Sequence, residues 1–128
     1  MKNVIIICLL LFGSIGMYGQ DPFYQEPTPE AEKTAKPLVR EYSKELGLSG
    51  EQELLVQQKL VEFIMKKEGI RNSTKSAEDK LHFLNQLHQI ETAEMANILT
   101  RPQLMKYKNI KPVLQPIKPV VVGQIESE

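Results

Sequence analysis

Two pentapeptides in this chain, Leu48-Ser49-Gly50-Glu51-Gln52 and Leu99-Thr100-Arg101-Pro102-Gln103, share one pattern. Each is an apolar residue, a hydroxyl residue, two free positions and a glutamine, and each stands directly before a run with helical periodicity. A hydroxyl at a helix N-cap accepts a hydrogen bond from an amide of the first turn. A glutamine three residues later reaches back to the amide of the cap, which completes a capping box. Pro102 falls in the first turn, where its missing N–H leaves no bond unmade. The repeat predicts two helices that start in matching ways about fifty residues apart.

The N-terminus reads as an export signal. Lys2 supplies a positive start, Val4 to Phe12 is an unbroken apolar run, and Gly13 to Gly19 is rich in small residues. The run is too short to span a bilayer. Residues 1–19 are therefore expected to be a signal peptide, cut after Ser14-Ile15-Gly16 or after Gly19, with the product in the periplasm or outside the cell. Cys8, the single cysteine, lies inside the apolar run rather than after it, which argues against a lipid anchor. The mature chain would then hold no thiol, so no disulfide, thiol nucleophile or cysteine metal ligand is expected. Without Lys2 it carries 15 basic against 16 acidic residues. That balance offers no excess of cations for nucleic acid or anionic lipid. No second apolar run approaches bilayer length, and no membrane insertion is expected after cleavage.

Pro22, Pro27 and Pro29 make residues 20–29 an extended lead-in. A helical domain is expected over 30–111. Its first helix starts at Thr28-Pro29 and runs to Gly47, with Ala31, Ala35, Leu38, Tyr42 and Leu46 on one face. Pro37 should kink it or divide it near Lys36. The second runs from Gly50 to Glu68 and ends at Gly69. Val56, Leu60, Phe63 and Ile64 form its stripe, which Leu54, Val61 and Met65 widen to about half the circumference. The third, from Lys75 to Leu99, is expected to be the longest, near 35 Å. Ala77, Leu81, Leu84, Met95 and Ile98 line its inner face, broadened by Phe83, Leu87 and Ile90. The fourth turns Leu104, Tyr107 and also Met105 inward and stops by Lys111, because Pro112 follows. Residues 112–128 form a Pro/Val-rich tail with strand character at Val120-Val121-Val122. Apolar faces this broad exceed what one thin helical layer covers, which predicts a homodimer.

With the boxes at Leu48, Ser49, Gln52 and Leu99, Thr100, Gln103, residues 30–111 resemble the LTXXQ-motif family of periplasmic proteins, which includes Spy-like and CpxP-like members. The second copy fits the motif at every defined position; the first has Ser49 for threonine. The resemblance implies a small all-α, four-helix hairpin-like layer that pairs into a cradle-shaped homodimer. It also implies an ATP-independent holdase-type chaperone for non-native proteins, or a modulator of a membrane stress sensor. The family's basic inner face has no counterpart here, since the charges of this chain are interleaved.

The candidate surface for clients or for the dimer comprises Leu54, Val61, Met65, Phe83, Leu87, Ile90 and Met95. Methionine is the adaptable apolar residue, and its use here fits either ordinary core filling or a promiscuous face. Arg40, Lys44, Lys66 and Lys67 would steer clients towards that face. His82 and His88 are six apart and cannot share a metal on one helix. His82 reads as solvated beside Glu78. His88 reads as a core-edge residue bonded to Glu91 or to the partner chain, with a shared zinc site across a dimer the alternative. No nucleophile triad, phosphate loop or thiol motif is present, so neither an enzyme nor a cofactor is expected. Two other function classes remain: a helical adaptor that docks a partner through its C-terminal tail, for example by strand addition, and a metal-responsive periplasmic sensor.

Overall fold

A computed structural model describes residues 25–120. The expected signal peptide with Cys8, the first half of the lead-in and the end of the tail lie outside them. The described chain is all-α: four helices and, among the described residues, no strand. They are α1 (Pro29–Leu46), α2 (Gly50–Arg71), α3 (Ala77–Met95) and α4 (Arg101–Leu114). The second packs on both the first and the third, and α4 returns across α1.

Each helix begins on a hydroxyl. Thr28, Ser49, Ser76 and Thr100 sit at the four N-caps in extended backbone and accept from the amides of Ala31, Gln52, Asp79 and Gln103. Pro29 occupies the first turn of α1 and Pro102 that of α4, where no intrahelical N–H bond is required. At the C-terminus of α1, Gly47 takes φ +64°, a left-handed conformation that favours glycine, and its N–H donates to the Ser43 carbonyl.

One contiguous core joins the elements. Ala31, Ala35, Val39, Tyr42 and Leu46 of α1 meet Val56, Leu60 and Val61 of α2, with Met95, Leu99 and Tyr107 closing the cluster. The small Ala31 and Ala35 let neighbouring elements approach α1 closely; the rings of Tyr42 and Tyr107 then fill the centre, 5.1 Å apart. Ion pairs add to the α2–α3 seam. Lys59 Nζ lies 2.9 Å from Glu94 Oε2, and also 2.9 Å from Glu62 Oε2 on its own helix.

Several boundaries differ from the sequence reading. The first helix is not divided at Pro37, which is exposed within it. Gly69 does not end α2, which continues to Arg71 and closes where the Asn72 N–H reaches the Glu68 carbonyl. The longest element is α2 rather than α3, since its 22 residues span about 33 Å. Periodicity carries on past Met95, but the backbone does not. The amides of Ala96, Asn97 and Ile98 turn to carbonyls three residues back, a tighter winding that buries Leu99 and frees Thr100 to cap the next helix. Pro112 does not stop α4 either. The Gln115 N–H bonds the Lys111 carbonyl at 2.7 Å, and buried contacts of Lys111 hold the last turn in place.

Candidate functional site

The two capping boxes are joined to one another. Gln52 Oε1 accepts from the Ser49 amide at 3.1 Å, and Gln103 Oε1 accepts from the Thr100 amide at 2.9 Å. The remaining amide nitrogens cross over. Gln52 Nε2 donates to Gln103 Oε1 at 2.8 Å, and Gln103 Nε2 donates to Gln52 Oε1 at 3.1 Å. Each Nε2 also reaches a carbonyl just ahead of the other box: Gln52 that of Ile98, at 3.1 Å, and Gln103 that of Leu46, at 3.3 Å. The end of α1, the starts of α2 and α4, and the turn after α3 are thus tied by two side chains. Leu48 and Leu99 stand just before the caps and pack in the core, Leu99 buried and Leu48 half-buried against it.

A second polar centre is buried at the C-terminal part of α4. Glu91 and Lys111 are both out of solvent, with Lys111 Nζ 3.0 Å from Glu91 Oε1. Lys67 Nζ reaches the other carboxylate oxygen at 3.2 Å, and Gln115 Nε2 donates to Oε1 at 3.2 Å. The Lys111 ammonium also donates to the His88 carbonyl at 2.7 Å and to Thr92 Oγ1 at 2.8 Å. Gln115 Oε1 in turn accepts from the Tyr42 hydroxyl at 2.6 Å. A carboxylate and an ammonium leave water only when their hydrogen-bonding capacity is met; here α2, α3 and α4 with Gln115 meet it directly, and α1 holds Gln115 through Tyr42. Burial lowers the Lys111 pKa while Glu91 opposes the shift, and the nearby Lys67 lowers it further. Burial raises the phenol pKa of Tyr107 and of Tyr42, and the negative charge of Glu91 adds to both. The Tyr107 hydroxyl is buried with no hydrogen-bond partner among the described residues.

This cluster alters the reading of His88. Glu91 is engaged by Lys67, Lys111 and Gln115, so the expected His88–Glu91 bond is replaced by a contact through the His88 backbone carbonyl. Burial lowers the pKa of the half-buried imidazole, and the charges of Lys111 and Lys67 act in the same direction. His82 is exposed, with its ring edge-on to Phe83 at 5.6 Å. Among the described residues no three His, Cys, Asp or Glu side chains gather to hold a metal.

The expected client surface is divided. Val61 and Met95 are buried in the core and belong to no surface. Met65 is half-buried against that core. Phe83 and Leu87 are half-buried at successive turns of α3, with Lys75 Nζ 5.1 Å above the Phe83 ring. Ile90, one turn further, is 48% exposed, and Leu54 on α2 is 57% exposed. Met105, expected inward, is 66% exposed, because Tyr107 and Leu104 take the core side of α4. Leu81, assigned to the inner face, is also exposed. It stands half a turn of azimuth from Ile90, so the two lie on opposite flanks of α3. Val113 adds a further apolar side chain at 78% exposure. Sequence reasoning missed the Glu91–Lys111 centre: it paired Glu91 with His88, and it read Lys111 only as the residue at which the fourth helix stops. The one signal was the position of Lys111, one turn after the inward Tyr107.

Comparison of the chain with family models, with curated proteins and with solved structures returned no match.

Proposed function

We propose that this chain is an exported, non-enzymatic, ATP-independent holdase of the Spy/CpxP-like kind that captures non-native polypeptides by many weak apolar contacts. The observation that carries this reading is the exposure of Leu54, Ile90, Met105 and Val113 on a body whose joints are tied by polar side chains. Large apolar side chains spread over several helices suit a client whose own apolar groups have no fixed arrangement. The joined capping boxes support the resemblance, because they give the repeated motif a structural task. Two copies pairing into a cradle would gather the divided apolar side chains around one concavity, and the same surface would serve a stress sensor. No helix of the described residues is long and apolar enough to cross a membrane. Release would follow from the client's own folding.

Light scattering from a chemically unfolded reporter tests the reading. The wild-type chain is expected to suppress aggregation near equimolar ratio. A variant carrying Leu54→Ser, Ile90→Ser, Met105→Ser and Val113→Ser should lose that effect while keeping its helical circular dichroism. No suppression by the wild type at tenfold excess overturns the proposal.

A further inference from the structure

Along α1, Lys36, Arg40 and Lys44 recur every four residues and form one exposed row, with about 6 Å of rise between neighbours. The row lines a groove of about 460 Å³ between α1 and α2, floored by Val39 and walled on the far side by Gln57 and Glu53. None of the three cations forms an ion pair among the described residues. Glu53 is the one acid of the groove, and its Oε2 accepts from Ser43 Oγ at 2.9 Å. The row is narrow, with Glu41 and Glu45 on the adjacent face of α1. A broad anionic surface would meet those carboxylates as well, whereas a single extended acidic chain would not.

The chain holds such a segment. Residues 121–128, outside the described ones, carry Glu126 and Glu128 and no cation. In extended backbone, carboxylates on alternate residues stand about 6.7 Å apart, close to the rise between the cations. The approach is also set. The Lys118 carbonyl accepts from Arg71 Nη2 at 3.4 Å, which places the tail at the end of α2. Arg71 follows Glu53 by five whole helical turns and so shares its side of α2. About 21 Å of helix separates Arg71 from Gln57, and the eight residues from Lys118 to Glu126 reach about 26 Å when extended. We propose that the acidic C-terminal segment of this chain docks in the α1–α2 groove, pairing Glu126 and Glu128 with the row of Lys36, Arg40 and Lys44. Because α1 and α2 run antiparallel, with Ser43 beside Glu53, a segment arriving from Arg71 meets Lys36 first. This docking holds whether or not the chain captures clients.

Zero-length carbodiimide coupling of the full chain, with mass spectrometry of the monomer fraction, tests the proposal. An equal mixture of ordinary and ¹⁵N-labelled chains separates links within one chain from links between two. The expected products join Lys36 or Lys44 to Glu126 or Glu128 within one chain, and they should be lost in roughly 0.5 M salt, where exposed charges are screened. Arg40→Glu should reduce them several-fold with circular dichroism unchanged. Coupling of Glu126 and Glu128 to lysines outside the groove, only between two chains, or not at all overturns it.

Discussion

Gln52 and Gln103, 51 residues apart in the chain, exchange two hydrogen bonds between their side-chain amides while each completes the capping box of its own helix. Two local motifs thereby become one tertiary contact. Replacing either glutamine by alanine removes one box and leaves polar groups of the other unpaired. Each single change should destabilise the fold by about 1–3 kcal/mol. The double variant should lose less than the two singles together, with a coupling on the order of 1 kcal/mol. Urea unfolding of the four proteins measures this, and strict additivity would show that the amides do not act on each other.

The pairing of Glu91 with Lys111 leads to an asymmetric expectation. Glu91→Gln leaves two ammonium groups facing a neutral amide, one of them out of solvent, and should lower stability by about 3–5 kcal/mol. Replacing both partners with apolar residues, Glu91→Leu with Lys111→Met, should restore much of the loss, since no buried charge is stranded. Lys67, at the edge of the cluster, remains able to turn to water. Chemical denaturation of the single and double variants decides the matter.

His88 gives the stability a pH dependence of defined sign. Lys111 from α4 and Lys67 from α2 face it with positive charge, while Glu91 on its own helix acts the other way. Burial and the two cations prevail, so the folded state binds this proton less readily than the unfolded state does. The stability is therefore full above the ordinary value of 6.5 and declines as pH falls through the lower folded value. The urea midpoint should drop between about pH 7.5 and about pH 5.5, and His88→Gln should flatten that drop. Glu62 acts in a lower range. Burial raises its pKa, but hydrogen bonds from Lys66 and Lys59 outweigh this and hold the carboxyl below its ordinary 4.5. Its contribution is lost only as pH falls past that region.

Two glycines should respond oppositely to alanine. Gly69 lies within α2, with open space where a Cβ would stand, so Gly69→Ala should stabilise by about 0.5–1 kcal/mol. Gly47 also has open space but adopts φ +64°, and Gly47→Ala should destabilise by about 1 kcal/mol through backbone strain. Thermal unfolding of both variants is the measurement.

The starts of α1, α2 and α4 were legible because a hydroxyl followed at fixed spacing by a first turn is a local arrangement; α3, expected from Lys75, starts instead at Ala77 on the cap Ser76, one of several hydroxyls in that connection. The left-handed turn at Gly47 was legible for the same reason. What periodicity could not supply was where a helix stops when tertiary contacts outweigh local preference. Gly69 and Pro112 are breakers by propensity, yet both lie inside helices. At Pro112 the buried Lys111 beside it anchors the turn, and Gln115 just beyond bonds both Tyr42 and Glu91. Met95 and Val61 illustrate another limit. An apolar residue on a broad face reads alike whether it lines a core or a surface, and only the packing of the neighbouring helices decides which.

The meeting of Gln52 with Gln103 also sets where this molecule tolerates interruption. The turn from α1 to α2 and the turn from α3 to α4 share one polar knot, so lengthening either would pull apart both. The connection at 72–76 lies at the far end of the α2–α3 hairpin, away from that knot. A polypeptide of this design has one joint that must keep its length and another where new residues can be spliced in.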